Sequence, residues 1–168
     1  MRDLIVDGYN VLHAVPRYAD VLGRDLAGAR DRLVDDVASF AAGRWRATVV
    51  FDGVGEPGEI ASVPSTGGVA VRFAPRGVDA DTIVEELARR ARDAGDGAVV
   101  VTSDASTQWT VRGGTVAVMS AREFAEELAE DAGERTEHLR AGPRKSTVDQ
   151  RIDDATRSAL LRLRDSRG

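Results

Sequence analysis

The chain contains no cysteine. Disulfides, thiolate nucleophiles, zinc–thiolate sites and iron–sulfur clusters are therefore excluded. Histidine is scarce, with only His13 and His138, and Lys145 is the single lysine among 23 basic residues. No apolar stretch approaches the roughly 18 residues that a membrane span requires. The opening run, Met1 to Val6, is broken by Asp7 and is too brief for a signal peptide. A soluble cytoplasmic protein with no membrane partner is the expectation.

What is present is enough for one domain with an appendage. A chain of 168 residues buries about two-thirds of its unfolded surface and needs no covalent staple. The net charge of −5 at first argues against a polyanionic partner, but its distribution is uneven. Residues 1–132 hold 14 basic and 22 acidic side chains, and residues 133–168 hold 9 basic and 6 acidic. An acidic body, 1–132, thus precedes a basic segment, 133–168, read as a linker followed by a C-terminal helix.

The body alternates strand and helix. Leu4-Ile5-Val6 is a continuous apolar run, the mark of a strand covered on both faces. Asp25 to Ala42 has Leu26, Ala29, Leu33, Val37 and Phe40 at helical spacing, with Gly43 as a stop. Ala47 to Phe51 and Val69 to Phe73 read as strands, separated by a glycine-rich loop over 53–68. Asp79 to Ala94 is an amphipathic helix, Ala98 to Val101 a strand, and Ala105 to about Arg112 a short helix. Thr115 to Val118 is a fifth strand, and Ser120 to Glu130 a helix opened by a Ser120/Glu123 capping box. Gly133 to Thr147 is polar and reads as a linker, and Asp149 to Arg164 again carries an apolar stripe at helical spacing. The series implies an α/β fold of three layers, α/β/α, with a five-stranded, mainly parallel sheet and a helical tail.

The acids fall at telling places. Asp7 follows the first strand, Asp52 the second and Asp104 the fourth, while Asp79 and Asp81 open the helix entered after the third. Open parallel sheets bind ligands beyond the carboxyl ends of their strands, at the switch in strand order. In the order 3-2-1-4-5, Asp7, Asp52 and Asp104 would project from neighbouring strands into one crevice. Two carboxylates about 4 Å apart repel by roughly 4 kcal/mol at an effective dielectric near 20, so protons are retained or a cation intervenes. An all-oxygen donor set suits Mg²⁺ or Mn²⁺. Each acid also has a structural reading. Asp79, Asp81 and Asp104 stand where helix caps are favoured, and Asp52-Gly53 and Asp7-Gly8 suit turns.

Ile5-Val6-Asp7-Gly8-Tyr9-Asn10-Val11-Leu12 resembles the opening of the NYN domain, in its YacP-like branch. The similarity continues through Ala29-Arg30-Asp31-Arg32-Leu33, Val49-Val50-Phe51-Asp52-Gly53, Val78-Asp79-Ala80-Asp81, Val101-Thr102-Ser103-Asp104 and Ser120-Ala121-Arg122-Glu123-Phe124. It spans residues 4–125. The family resembles the PIN-like nucleases, which implies a Rossmann-like sheet in the order 3-2-1-4-5, a divalent-metal carboxylate site and cleavage of RNA phosphodiesters. For this branch it also implies a link with translating ribosomes. The resemblance makes Asp7, Asp81 and Asp104 the main metal ligands and catalytic acids, with Asp52 and Asp79 as outer or alternate ligands. Asn10 would orient the site or a bound phosphate, and Ser103 would position Asp104 or donate to a phosphate. The stretch after Asp52 departs from the family in being richer in glycine and poorer in basic residues.

Metal chemistry is also what elimination leaves, since His13, after a turn, and His138, in the linker, are poorly placed for histidine-based RNA cleavage. Phosphate contacts would come from Arg17, Arg72 and Arg76, and from Arg140, Arg144, Lys145 and Arg151 in the tail. A solvated helix face is the plainer account of the tail arginines. Tyr9, Tyr18 or Trp109 could stack on an unpaired base, although such residues more often pack in cores. The expected activity is a metal-dependent endoribonuclease acting on single-stranded messenger or ribosome-associated RNA. A non-catalytic RNA-binding or ribosome-associated adaptor of the same fold is the alternative, and the retention of Asp7, Asp81 and Asp104 argues against it. A small-molecule phosphatase ranks lower, because that class places an Asp-x-Asp pair after its first strand and here Gly8-Tyr9 follows Asp7.

Overall fold

The apolar run after Arg2 and Asp3 becomes the central strand of the sheet. In the computed structural model, which describes residues 1–55, 61–64 and 67–141, the elements are β1 (Arg2–Asp7), α1 (Gly8–Ala14), α2 (Pro16–Leu22), α3 (Leu26–Ala41), β2 (Trp45–Gly55), β3 (Ala61–Pro64), β4 (Ala70–Pro75), α4 (Ala80–Asp93), β5 (Ala98–Val101), α5 (Ala105–Val111), β6 (Val116–Met119) and α6 (Ala121–Ala141). The strands lie in the order β3-β4-β2-β1-β5-β6, all parallel except β3, which runs antiparallel to β4. The five strands read from the sequence are β1, β2, β4, β5 and β6, and their order is the expected 3-2-1-4-5.

Strand alternation divides the core into two layers. Leu4, Val6, Val49, Phe51, Val71, Val99 and Val101 face α1, α2, α3 and the first part of α6, where Leu12, Tyr18, Leu33, Val37, Phe40 and Phe124 meet them. Ile5, Val50, Ala74, Val100 and Val116 face Ile83, Val84, Ala88 and Ala91 of α4 and Val111 of α5. Both faces of β1 and β5 are thereby covered, which is why those strands read as unbroken apolar runs rather than alternating ones. No helix among the described residues is long and apolar enough to cross a membrane.

Several local expectations change. Within the glycine-rich stretch β2 runs on to Gly55, and Ala61–Pro64 adds β3 at the sheet edge. An edge strand tolerates Pro64, whose missing N–H would be costly in the sheet interior. The segment after Asp7 is two short helices rather than a turn. Pro16 marks the restart at the first position of α2, where its lack of an N–H costs nothing. Residues from Gly133, read as the start of a linker, continue α6 to Ala141. The remainder of that linker, and the helix expected over Asp149–Arg164, lie outside the described residues. The capping box is formed: Ser120 N donates to Glu123 Oε2 at 2.8 Å, and Glu123 N to Ser120 Oγ at 3.2 Å.

Two glycines allow the close approach that brings the strand ends together. A Cβ on Gly8 would lie 2.3 Å from Phe51 Cε1 and 2.9 Å from the Val50 carbonyl oxygen. A Cβ on Gly53 would lie 1.3 Å from the Ala74 carbonyl oxygen, at the place where the β2–β4 register shifts between Phe51 and Gly55. The clash at Gly53 is with backbone and no rotamer relieves it. Gly53→Ala should therefore cost about 3 kcal/mol of stability. A thermal melt indistinguishable from that of the unsubstituted chain would show that β2 and β4 are not packed this closely.

Candidate active site

The carboxyl ends of the central strands open into a cleft of about 960 Å³ lined by Asp7, Tyr9, Asn10, His13, Ala14, Leu22, Leu26, Asp52, Asp79, Ala80, Asp81 and Asp104. All five acids singled out in the sequence are in this lining, and among the described residues no arginine or lysine is. Each reaches it by a local device.

Asp7 ends β1 and is the N-cap of α1, accepting from the Asn10 N–H at 3.2 Å through Oδ1. Its Oδ2 accepts from the Thr102 hydroxyl at 3.2 Å. The side chain is buried, at 6% exposure. Burial pushes its pKa up to about 6, and the neighbouring charges of Asp81 and Asp52 push the same way, against the two hydrogen bonds. Asp52 lies on β2 rather than in a turn, and its Oδ1 accepts from the Ala80 N–H at 2.7 Å. Asp52 thus caps α4 from across the cleft, while Asp79, at the N-cap position itself, makes no capping bond. That single bond draws the first turn of α4, with Asp79 and Asp81, toward the strand ends.

Asp104 is the N-cap of α5, and its Oδ1 takes three hydrogen bonds, from Ser106 Oγ at 2.6 Å, Thr107 N at 2.8 Å and Thr107 Oγ1 at 3.1 Å. These donors hold its carboxyl below the usual range, the Ser106 hydroxyl first. Thr102, fully buried, links the two acids: its hydroxyl donates to Asp7 and accepts from the Asp104 N–H at 3.2 Å. Asn10 Oδ1 accepts from the Ser103 N–H at 2.7 Å, tying α1 to the loop after β5. The Ser103 hydroxyl accepts from the Ala121 N–H at 3.0 Å, at the start of α6.

Thr102, the bridge, was not singled out in the sequence, where the only signal is a threonine directly after the apolar run Ala98–Val101. The sequence reading also placed His13 after a turn, whereas His13 lies in the last turn of α1 and lines the cleft. The cations expected to grip a substrate are not brought together. Arg17 is held by Asp36 Oδ2 at 2.9 Å and by the Tyr18 hydroxyl. Arg72 is half-buried on β4 and Arg76 is exposed in the turn after it. Neither of these, nor Arg17, lines the cleft. Tyr18 is wholly buried and Trp109 wholly unlike it, at 82% exposure. The side chain of Arg140, and Arg144, Lys145 and Arg151 altogether, lie outside the described residues.

Nor do the acids form a closed ligand cage. Among the described residues, no three acidic or imidazole side chains stand close enough to hold an ion by themselves. Capping explains the spacing, since Asp52 and Asp104 each commit Oδ1 to a helix N-terminus. The donor set still fits a hydrated Mg²⁺ or Mn²⁺, which keeps several waters and needs only one or two carboxylates. The negative field at Asp7, to which Asp81 and Asp52 add, is what such an ion would relieve.

Residues 4–165 match the sequence profile of the YacP-like NYN domain. The chain belongs to the YacP-like NYN family. That family has a nuclease-type fold. The chain is 32% identical over 126 residues to the uncharacterized protein YacP of Bacillus subtilis (strain 168), covering 74% of each. It is also similar to two crystal structures of Rae1 (YacP) from the same organism. One, of a mutant form, superposes with a TM-score of 0.72 at 27% identity, over 90% of this chain and 89% of that one. The other gives 0.67 at 28% identity, over 99% and 95%. The family profile thus takes in the C-terminal segment as well as the α/β body of this NYN protein.

The raised pKa of Asp7 has a consequence for stability. The native state holds this proton more tightly than the unfolded chain, so stability falls as pH rises from about 4 through about 6, then levels off. Asp7→Asn keeps an acceptor for the Asn10 N–H and removes the cost of ionisation. In EDTA at pH 7.5 it should stabilise this NYN domain by about 3 kcal/mol, with the difference gone below pH 4. Thermal melts across that range check this, and an equal or lower melting temperature for the variant at pH 7.5 would show that Asp7 is not strained.

Proposed function

We propose that this chain is an endoribonuclease that cleaves single-stranded RNA using carboxylate-bound Mg²⁺ or Mn²⁺. The observation that carries the reading is the convergence of Asp7, Asp52, Asp79, Asp81 and Asp104 on one cleft at the carboxyl edge of the sheet. Membership of a family with a nuclease-type fold supports the reaction class. In this reading Asp7, Asp81 and Asp104 would hold the ion, with Asp52 and Asp79 as outer or alternate ligands, all five being in the cleft lining. When bound, the ion would neutralise the carboxylates, stabilise charge on the scissile phosphate and lower the pKa of a coordinated water. The protein's own part is to fix these acids. Thr102 holds Asp7 and the backbone of Asp104 in one network, and Asn10 locks α1 against Ser103.

The substrate is messenger or ribosome-associated RNA in the cytoplasm, with Arg140, Arg144 and Lys145 of the basic tail adding phosphate contacts that carry no sequence readout. In this reading Ser103 acts as a positioning residue, because its hydroxyl is already bonded to the α6 N-terminus. Arg17 contributes through its neighbours rather than as a phosphate ligand, since Asp36 neutralises it.

Incubating labelled RNA, free and on translating ribosomes, with the unsubstituted chain and with Asp7→Asn tests the proposal. Cleavage should need Mg²⁺ or Mn²⁺, stop in EDTA, and drop by at least about a hundredfold in the variant, the loss expected when a main charge-stabilising group is removed. RNA that is bound but never cut, by either protein, would turn the reading to a non-catalytic adaptor.

A further inference from the structure

The cleft wall is acidic, and the side-chain donors among its lining residues come from Tyr9, Asn10 and His13. Tyr9 alone of these is backed by a fixed positive charge. Arg30, on α3, donates through Nη2 to the Tyr9 hydroxyl oxygen. Its guanidinium sits 5.3 Å from the Tyr9 ring centroid, 5.6 Å from that of Phe51 and 5.4 Å from that of Phe73. No carboxylate among the described residues pairs with it, and its buried Nε has no hydrogen-bond partner there. This contrasts with Arg17, Arg44, Arg46, Arg89, Arg90 and Arg122, each of which is paired with an acid.

We propose that the Tyr9 hydroxyl, polarised by Arg30, donates a hydrogen bond to a phosphate oxygen of RNA lying in the cleft, opposite the carboxylates. The inference rests on the nuclease reading and names one contact within it. A phenol has one proton. With its oxygen accepting from a guanidinium, that proton must point elsewhere, and Tyr9 is one of the residues that line the cleft. The positive charge behind it makes the hydroxyl a stronger donor, and a phosphate oxygen is the acceptor that a charge-assisted bond favours. The aromatic trio holds Arg30 in place. Tyr9 packs edge-on to Phe51 at 5.4 Å and Phe51 stacks on Phe73 at 5.6 Å. Arg30 does not itself line the cleft and is a positioning residue. It lets the protein present positive polarity to a phosphate without placing a cation among the carboxylates, where it would pair with them.

The test measures binding rather than turnover. In the full-length Asp7→Asn background, fluorescence anisotropy with a labelled single-stranded RNA gives the parent affinity. Adding Tyr9→Phe removes the hydroxyl but keeps the ring contacts. It should weaken binding about tenfold, the order expected for one hydrogen bond to a charged group, with an unchanged melting temperature. Adding Arg30→Met should weaken binding to a similar degree, and the two losses should not add, since both act on one contact. If Arg30→Met unfolds the chain, Tyr9→Phe decides alone. Parent-like affinity for Tyr9→Phe would overturn this contact while leaving the nuclease reading standing. No RNA binding by the parent would remove both.

Discussion

The structure depends on gathering like charge at one edge of a sheet and keeping it there. Five aspartates share one cleft whose lining, among the described residues, includes no lysine or arginine. The cost appears at Asp7, the buried member, whose carboxyl titrates near 6 because burial and the charges of Asp81 and Asp52 all oppose its ionisation. The fold meets that cost with hydrogen bonds. Asp7, Asp52 and Asp104 each accept from a helix N-terminal N–H, the backbone donors left without partners inside a helix. The same bonds that stabilise α1, α4 and α5 hold the acids in position.

The arrangement of cations follows from it. Arginines pair with outlying acids: Arg46 with Asp3 and Asp96, Arg17 with Asp36, Arg89 with Glu86 and Asp93. Such exposed pairs add little stability. None of these paired arginines is in the cleft lining. Arg30 stops one residue short of it, caged by aromatic rings behind Tyr9.

Much of this was legible in the sequence, and the reason is geometric. Strands covered on both faces appear as apolar runs, so Leu4–Val6 and Ala98–Val101 marked the centre of the sheet, and the residue after each run had to lie at its edge. The acids on α4 were legible because a helix start is a marked place in sequence. The two short helices after Asp7 were not, because Asp7-Gly8-Tyr9-Asn10 has turn composition and α1 is too short to show a period. β3 was hidden in a glycine-rich stretch where an edge strand needs little apolar content. The roles of Arg17 and Arg30 could not be read at all, since charge in a sequence does not reveal whether Asp36 or an aromatic cage awaits it.

The sequence left Asp104 open between a helix cap and a site carboxylate, and the cap is formed at a position in the cleft lining. Three donors on Oδ1 hold its charge in place and its pKa low, while Asp7, one hydroxyl away through Thr102, is pushed up to about 6. Environments that drive two nearby carboxyls in opposite directions give them different work. Asp104 stays ionised throughout the neutral range as a fixed charge. Asp7 is raised chiefly because it is buried, with the charges of Asp81 and Asp52 acting the same way. Both acids cap helices, so it is burial rather than capping that separates them: Asp7, inside the core, is raised, and Asp104, outside it, is held low by its donors.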